Sequence, residues 1–234
     1  MGSAVTYELD DSVAWITLDD GKVNALSGPK FAALDDAFDQ AESDQAVVVL
    51  YGRPGIFSAG FDLNVLREGG HEAALMLQRG FKLAERMLSF PTPVVVACPG
   101  HAIAMGVFLV LSADYRIGVT GSFRFTANEV AIGLTMPRAA VEICRQRLAP
   151  AQFNRAVMLA ETFSPKEAVE AGFLDRVVDP ADLQQSARDT ARLLCSLDLQ
   201  AHRLTKQRAR AHLLHDLRAA IDEDGAEFAA LRAG

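Results

Sequence analysis

Short β-rich runs open the chain. Val5-Thr6-Tyr7-Glu8-Leu9 and Val13-Ala14-Trp15-Ile16-Thr17-Leu18 flank Asp10-Asp11-Ser12, which predicts a hairpin. Ser27 precedes a stretch that has Pro29 near its start and Phe31, Leu34 and Phe38 at helical spacing. A helix capped by Ser27 is expected there. Val47-Val48-Val49-Leu50-Tyr51 is an uninterrupted apolar run, the pattern of a parallel strand covered on both faces. Gly52-Arg53-Pro54-Gly55 ends it and leads into a glycine-bearing loop, Phe57-Ser58-Ala59-Gly60-Phe61-Asp62.

The same plan comes again. A helical stretch with Leu75, Phe81, Leu83 and Met87 leads to Pro93-Val94-Val95-Val96-Ala97-Cys98, and Pro99-Gly100 stops that second buried run. Residues 102–113 are small or apolar enough for a buried helix, and 115–118 and 122–125 read as short strands. Strands alternating with helices imply crossover connections and a layered α/β body. From Pro137 onward the pattern is helical, with caps and stops at Pro150, Ser164-Pro165, Gly172 and Asp179-Pro180, interrupted by Val177-Val178. A composition shift near residue 180 divides a body, 1–180, from a helical C-terminal segment, 181–234. That segment is short for an independent domain and is expected to pack on the body or on a neighbouring subunit.

Composition narrows the function classes. Of 234 residues, half are apolar and 23% are charged, which excludes global disorder. The net charge of −7 argues against a nucleic-acid or membrane-surface partner, since polyanions repel such a surface. One basic run, Lys206-Gln207-Arg208-Ala209-Arg210, remains as a small anion site. Cys98, Cys144 and Cys195 have no metal-like spacing and leave one over from any pairing, so neither a metal site nor a disulfide framework is expected. Met1-Gly2-Ser3-Ala4 lacks a basic-then-apolar leader, and the apolar runs are too short to span a bilayer. The expectation is a soluble protein of a reducing compartment, the cytoplasm.

Two loops carry the candidate chemistry. Phe57-Ser58-Ala59-Gly60-Phe61-Asp62 and Gly100-His101-Ala102-Ile103-Ala104-Met105-Gly106 each follow an apolar strand and lead into a helix. Ligands of α/β sheets sit at that end of the strands. Small residues let a ligand approach the main chain, and N–H groups at helix starts stabilise developing negative charge.

Seven segments in register resemble the crotonase, or enoyl-CoA hydratase/isomerase, superfamily. Lys22-Val23-Asn24-Ala25-Leu26-Ser27 is similar to its adenine-side motif, and Phe57 to Leu63 to its first oxyanion loop. Residues 91–97 and Gly100-His101-Ala102 lead to the second. Ala113-Asp114-Tyr115-Arg116, Asn128-Glu129-Val130 with Ile132-Gly133-Leu134, and Ala168 to Gly172 before Val177-Val178 complete the pattern. The resemblance implies a spiral of repeated ββα units with a helical C-terminal region used in trimer assembly, as a homotrimer or a dimer of trimers. It implies an acyl-CoA thioester as substrate, no further cofactor, and an oxyanion hole made by the N–H groups of Phe61 and Met105. Lys22, Asn24, Ala25, Ala59 and Gly60 fall on the CoA-binding positions, and Phe108 and Leu134 on the acyl pocket. The second loop departs from the family's usual Gly-Gly-Gly, reading Ala104-Met105-Gly106.

Family hydratases hold one water between two glutamates. The first lies two residues after the triple-glycine segment, where this chain has Phe108, and the second matches Glu129. A phenyl ring neither accepts nor gives a proton, so the arrangement is missing its first half. A single carboxylate facing an oxyanion hole suits a Δ3,Δ2-enoyl-CoA isomerase, and an asparagine before the glutamate, as in Asn128-Glu129, is similar to that branch. Enoyl-CoA hydration and non-catalytic acyl-CoA binding are the alternatives.

Other side chains have plainer readings. Asp62 is expected to cap a helix, His101 to be a satisfied loop histidine, Glu142 to lie on a solvated or ion-paired face, and Asp114 and Arg116 to stabilise structure. Lys22 and Lys206 are candidates for CoA phosphates. Phe81, Met87, Phe108 and Phe163 suit an acyl tunnel or an ordinary core equally.

Overall fold

The hairpin is present. In a computed structural model that describes residues 3–230, β1 (Val5–Asp10) and β2 (Val13–Leu18) pair antiparallel with Val5 opposite Leu18. The chain ends Met1-Gly2 and Leu231 to Gly234 lie outside the described residues. Ser27 occupies the N-cap of α1 (Gly28–Ser43), but its hydroxyl makes no capping bond. The helix start rests instead on the fixed φ of Pro29, and Phe31, Leu34 and Phe38 turn into the core.

Three turns of one pattern follow. The first has β3 (Val47–Tyr51), β4 (Gly55–Ser58), α2 (Leu63–Glu68) and α3 (Gly70–Ser89). The second has β5 (Val94–Cys98), β6 (Gly100–Ile103) and α4 (Met105–Leu111). The third has β7 (Tyr115–Val119) and β8 (Phe125–Thr126), and a single 3-10 turn at Val130–Ile132 precedes α5 (Arg138–Arg147). Then come α6 (Pro150–Leu159), α7 (Pro165–Ala171), β9 (Arg176–Val178), α8 (Leu183–Cys195), α9 (Leu199–Ala209) and α10 (Ala211–Ala230).

Each turn sends its first strand to one sheet and its second to another. The larger sheet has the order β1-β2-β3-β5-β7-β9 and the smaller β4-β6-β8, with parallel pairing between successive turns. This is the crotonase spiral of ββα units. The uninterrupted valine runs follow from it. Val48, Leu50 and Val96 face the main core, while Val47, Val49 and Val95 face a second cluster closed by Leu183, Ala187 and Ala191 of α8. From α10, Leu214, Leu217, Ala220 and Ile221 enter the main core, and the helix packs on α3 and α5.

The smaller sheet revises three expectations. Residues 55–58 form a strand before the glycine-bearing turn. The helix expected over 102–113 starts at Met105, because Gly100–Ile103 is a strand paired with β4. Gly100 allows that pairing, since a Cβ there would lie 2.0 Å from the Gly55 carbonyl. Of 122–125, Phe125 alone enters a strand, with Thr126. These pieces are too short for periodicity to separate strand from helix or loop.

The caps expected at Asp62, Ser164 and Gly172 are present. Asp62 accepts from Asn64 N–H, Ser164 and Glu167 form a capping box, and Gly172 closes α7 at φ +97°. Cys98, Cys144 and Cys195 are free thiols. No helix among the described residues is long and apolar enough to cross a membrane.

Candidate active site

The two glycine-bearing turns meet. Gly60 has φ +89°, and a Cβ on it would lie 2.8 Å from Ala104 Cβ, 2.9 Å from Ile103 O and 3.2 Å from Met105 N. The chain around Gly60 is therefore pressed against the start of α4. Ala104, the N-cap of that helix, holds a left-handed φ of +49°, which turns the chain from β6 into α4. Among the described hydrogen bonds, neither Phe61 N–H nor Met105 N–H has a protein acceptor, although the neighbouring bonds Leu26 N–H to Gly60 O and Asp62 N–H to Leu26 O are made. Two unspent donors thus stand on adjoining turns.

Gly60→Ala tests this contact. The variant is expected to lose about 1–3 kcal/mol of stability through overpacking and a left-handed φ, with a fall in kcat/KM as the two turns are pushed apart. An unchanged urea midpoint and unchanged kinetics would contradict it.

A cavity of about 820 Å³ opens beside these turns, its lining including Ala59, Phe61 and Ala104 from the turns and Arg138, Asp224 and Phe228 from later helices. Glu129 lines it from the segment between β8 and α5. Its carbonyl accepts from Ile132 and Leu134 N–H, which fixes the turn that carries the side chain. Glu129 is buried and its Oε2 has no hydrogen-bond partner. Burial pushes its carboxyl up to about 7, against a lowering contribution from its own N–H. Asn128 lines the same wall, with a buried Oδ1 that also lacks a partner. The cavity's other two carboxylates, Asp224 and Glu227, are engaged by Arg138 at 3.1 and 2.5 Å. Among the described residues no cluster of three or more His, Cys, Asp or Glu could hold a metal ion.

The residues singled out in the sequence divide into two groups. Ala59, Phe61, Glu129 and Leu134 line the cavity, and Gly60 and Met105 lie directly behind its wall. Phe108 does not line it. On α4 it is fully buried, its ring 6.1 Å from that of Phe81, because the helix is sequestered all round. Phe81, Met87 and Phe163 are core residues too. Asn24 cannot offer its side chain to a ligand. It is buried at φ +51°, its amide donating to Leu18 O at 2.7 Å and Phe57 O at 3.0 Å while its Oδ1 accepts from Asp20 N–H. Ala25 is half-buried and its carbonyl accepts from Lys30 Nζ, while Lys22 is exposed with its carbonyl bound by Arg53. Lys206 is not placed for a CoA phosphate in this cavity. It is buried against Asp114 at 2.7 Å, beside Arg210 at 2.9 Å from the same carboxylate. Arg116 pairs with Asp175, Glu142 with Arg145, and His101 Nδ1 accepts from Arg124 N–H, all structural contacts.

The family model for enoyl-CoA hydratase/isomerase matches residues 8–232. The chain belongs to the enoyl-CoA hydratase/isomerase family. It is 49% identical to an enoyl-CoA hydratase/isomerase family protein from Pseudomonas syringae, whose structure superposes with a TM-score of 0.95 over 96% of this chain and 98% of that one. The probable enoyl-CoA hydratase EchA3 of Mycobacterium tuberculosis H37Rv is 44% identical, with a TM-score of 0.95 over 99% and 98% of the two chains. Human mitochondrial Δ3-Δ2-enoyl-CoA isomerase is 26% identical, with a TM-score of 0.91 over 98% and 92%. Processing of acyl-CoA is the chemistry of this family, and this chain carries two unspent N–H donors on adjoining turns and a buried, unpartnered carboxylate in the cavity lining.

What sequence reasoning missed is the share of the lining that comes from α5 and α10. Asp224, Glu227 and Phe228 reach the cavity from α10, and Arg138 reaches it from α5. An amphipathic helix near the end of a chain does not reveal which cavity it walls.

Proposed function

We propose that this chain is a Δ3,Δ2-enoyl-CoA isomerase with Glu129 as its proton carrier. The observation that carries the reading is a lone buried carboxylate, pushed up to about 7 and unpartnered at Oε2, with a core phenylalanine at the position of the family's other glutamate. Glu129 takes the proton from C2 of a 3-enoyl thioester, and the C–H electron pair becomes the enolate double bond. Negative charge on the thioester oxygen is held by Phe61 and Met105 N–H. Glu129 then returns the proton at C4, leaving a 2-enoyl thioester. Mostly apolar walls keep water from the double bond and keep the carboxylate basic.

The CoA portion lies along the Lys22–Ala25 segment in this reading. Support comes from Ala59 N–H, which donates to Val23 O and so joins that segment to the cavity's oxyanion end. Lys22, Ala25, Ala59 and Gly60 contribute main chain or exposed charge, and Asn24 shapes the segment rather than touching ligand. Residues 1–180 form the spiral and 181–234 the assembly region of a homotrimer, single or paired, working in the cytoplasm.

The test is the direction of the spectral change. Supplied with a 3-enoyl-CoA, the protein is expected to create the conjugated-enoyl absorbance, and supplied with a 2-enoyl-CoA it is expected to leave that absorbance standing. Consumption of the 2-enoyl thioester as the faster reaction would transfer the assignment to hydratase. The mycobacterial relative is called a probable enoyl-CoA hydratase in one structure and an enoyl-CoA isomerase in another, so its names favour neither reading.

A further inference from the structure

Asp224 is a carboxylate that proton transfer does not use. It lies on α10, only 5% exposed, yet its contacts are with the start of α5. Its Oδ1 accepts from Arg138 N–H at 3.1 Å and from Arg138 Nη1 at 3.1 Å, and its Oδ2 accepts from Ala139 N–H at 3.0 Å. Those main-chain donors open α5 and have no partner within the helix. The N-cap residue is Pro137, whose ring offers no acceptor. A cap ordinarily supplied by a local Ser or Asp therefore comes from a different helix.

The consequence falls on the cavity. Leu134, Thr135, Met136 and Pro137 line one wall and lead straight into α5. Glu227 and Phe228 line the same cavity, within about one turn of Asp224 on α10. Arg138 reinforces the joint by reaching Glu227 at 2.5 Å and Glu223 at 3.2 Å. Asp224, where it meets Arg138 and Ala139, thus ties two cavity-lining segments to each other.

We propose that Asp224 is a positioning residue which, by capping α5 from α10, sets the length of acyl chain the cavity accepts. This rests on the acyl-CoA reading above, with the chain running from Glu129 toward Phe228. Releasing the cap lets α10 move outward and admits longer chains.

Affinity tests this independently of turnover. Calorimetric titration of the full chain with butanoyl-, octanoyl- and dodecanoyl-CoA is compared for wild type, Asp224→Asn and Asp224→Ala. In Asp224→Ala the octanoyl-to-dodecanoyl affinity ratio is expected to shift toward the longer chain by roughly tenfold, the worth of one or two further buried methylenes. Asp224→Asn, which keeps the packing and one acceptor, is expected to move part of the way. An unchanged ratio, even with lowered melting temperatures, or a shift toward the shorter chain overturns the proposal. Should Asp224→Ala fail to fold, the ratio in Asp224→Asn decides. Wild-type protein that binds none of the three thioesters would instead defeat the acyl-CoA reading itself.

Discussion

Glu129→Gln is expected to lower isomerase turnover by roughly 10²–10⁴-fold, the worth of a positioned acid/base group, while saturated acyl-CoA binds as before. Gln keeps the volume and the turn fixed by the Ile132 and Leu134 N–H bonds but cannot take up the C2 proton. In wild type the base must be ionised in the free enzyme, so kcat/KM is expected to rise with pH through about 7, where burial has moved the Glu129 carboxyl. A buried carboxylate at its ordinary value would place that rise well below neutrality. Retained turnover in the Gln variant, or a kcat/KM flat between pH 5 and 8, would remove Glu129 from the mechanism. The binding arm matters because a collapsed site would lose both properties at once.

The large sheet was legible because its strands announce themselves. Val47 to Tyr51 and Val94 to Cys98 are buried on both faces, so burial pattern and sequence pattern coincide. The small sheet was not, because Gly55–Ser58 and Gly100–Ile103 are four residues each and owe their pairing to glycine rather than to alternation. The site divides along the same line. Main-chain donors on turns and the glutamate near Gly133 were readable from spacing and family register. Phe108 was misplaced because register gives a position along α4 but not the direction its side chain takes from a fully buried helix. Asn24 has a similar lesson: its place in a ligand-side motif reflects a left-handed turn and three side-chain hydrogen bonds, which a motif does not distinguish from contact with ligand. Walls contributed by α10 depend on long-range packing and had no local signal.

The unpartnered carboxylate also makes a prediction about stability. The folded protein holds the Glu129 proton up to about pH 7, whereas a glutamic acid in the unfolded chain releases it near its ordinary 4.5. Between those values the native state binds the extra proton, so stability falls as pH rises, by about 1.36 kcal/mol per unit for this one group. Below the unfolded value the effect is absent, and above the folded value it has reached its limit, on the order of 3 kcal/mol. Glu129→Gln has no proton to lose. Its unfolding free energy relative to wild type is therefore expected to improve by on the order of 3 kcal/mol on going from pH 5 to pH 8, whatever constant penalty a buried amide adds at both. Other titrating groups are shared by the two proteins and cancel in this difference. Urea unfolding of both proteins at the two pH values measures it. Parallel pH dependences would mean that the carboxylate is solvated or paired in solution, and a solvated or paired carboxylate has neither the basicity nor the vacancy at Oε2 that proton transfer from C2 requires.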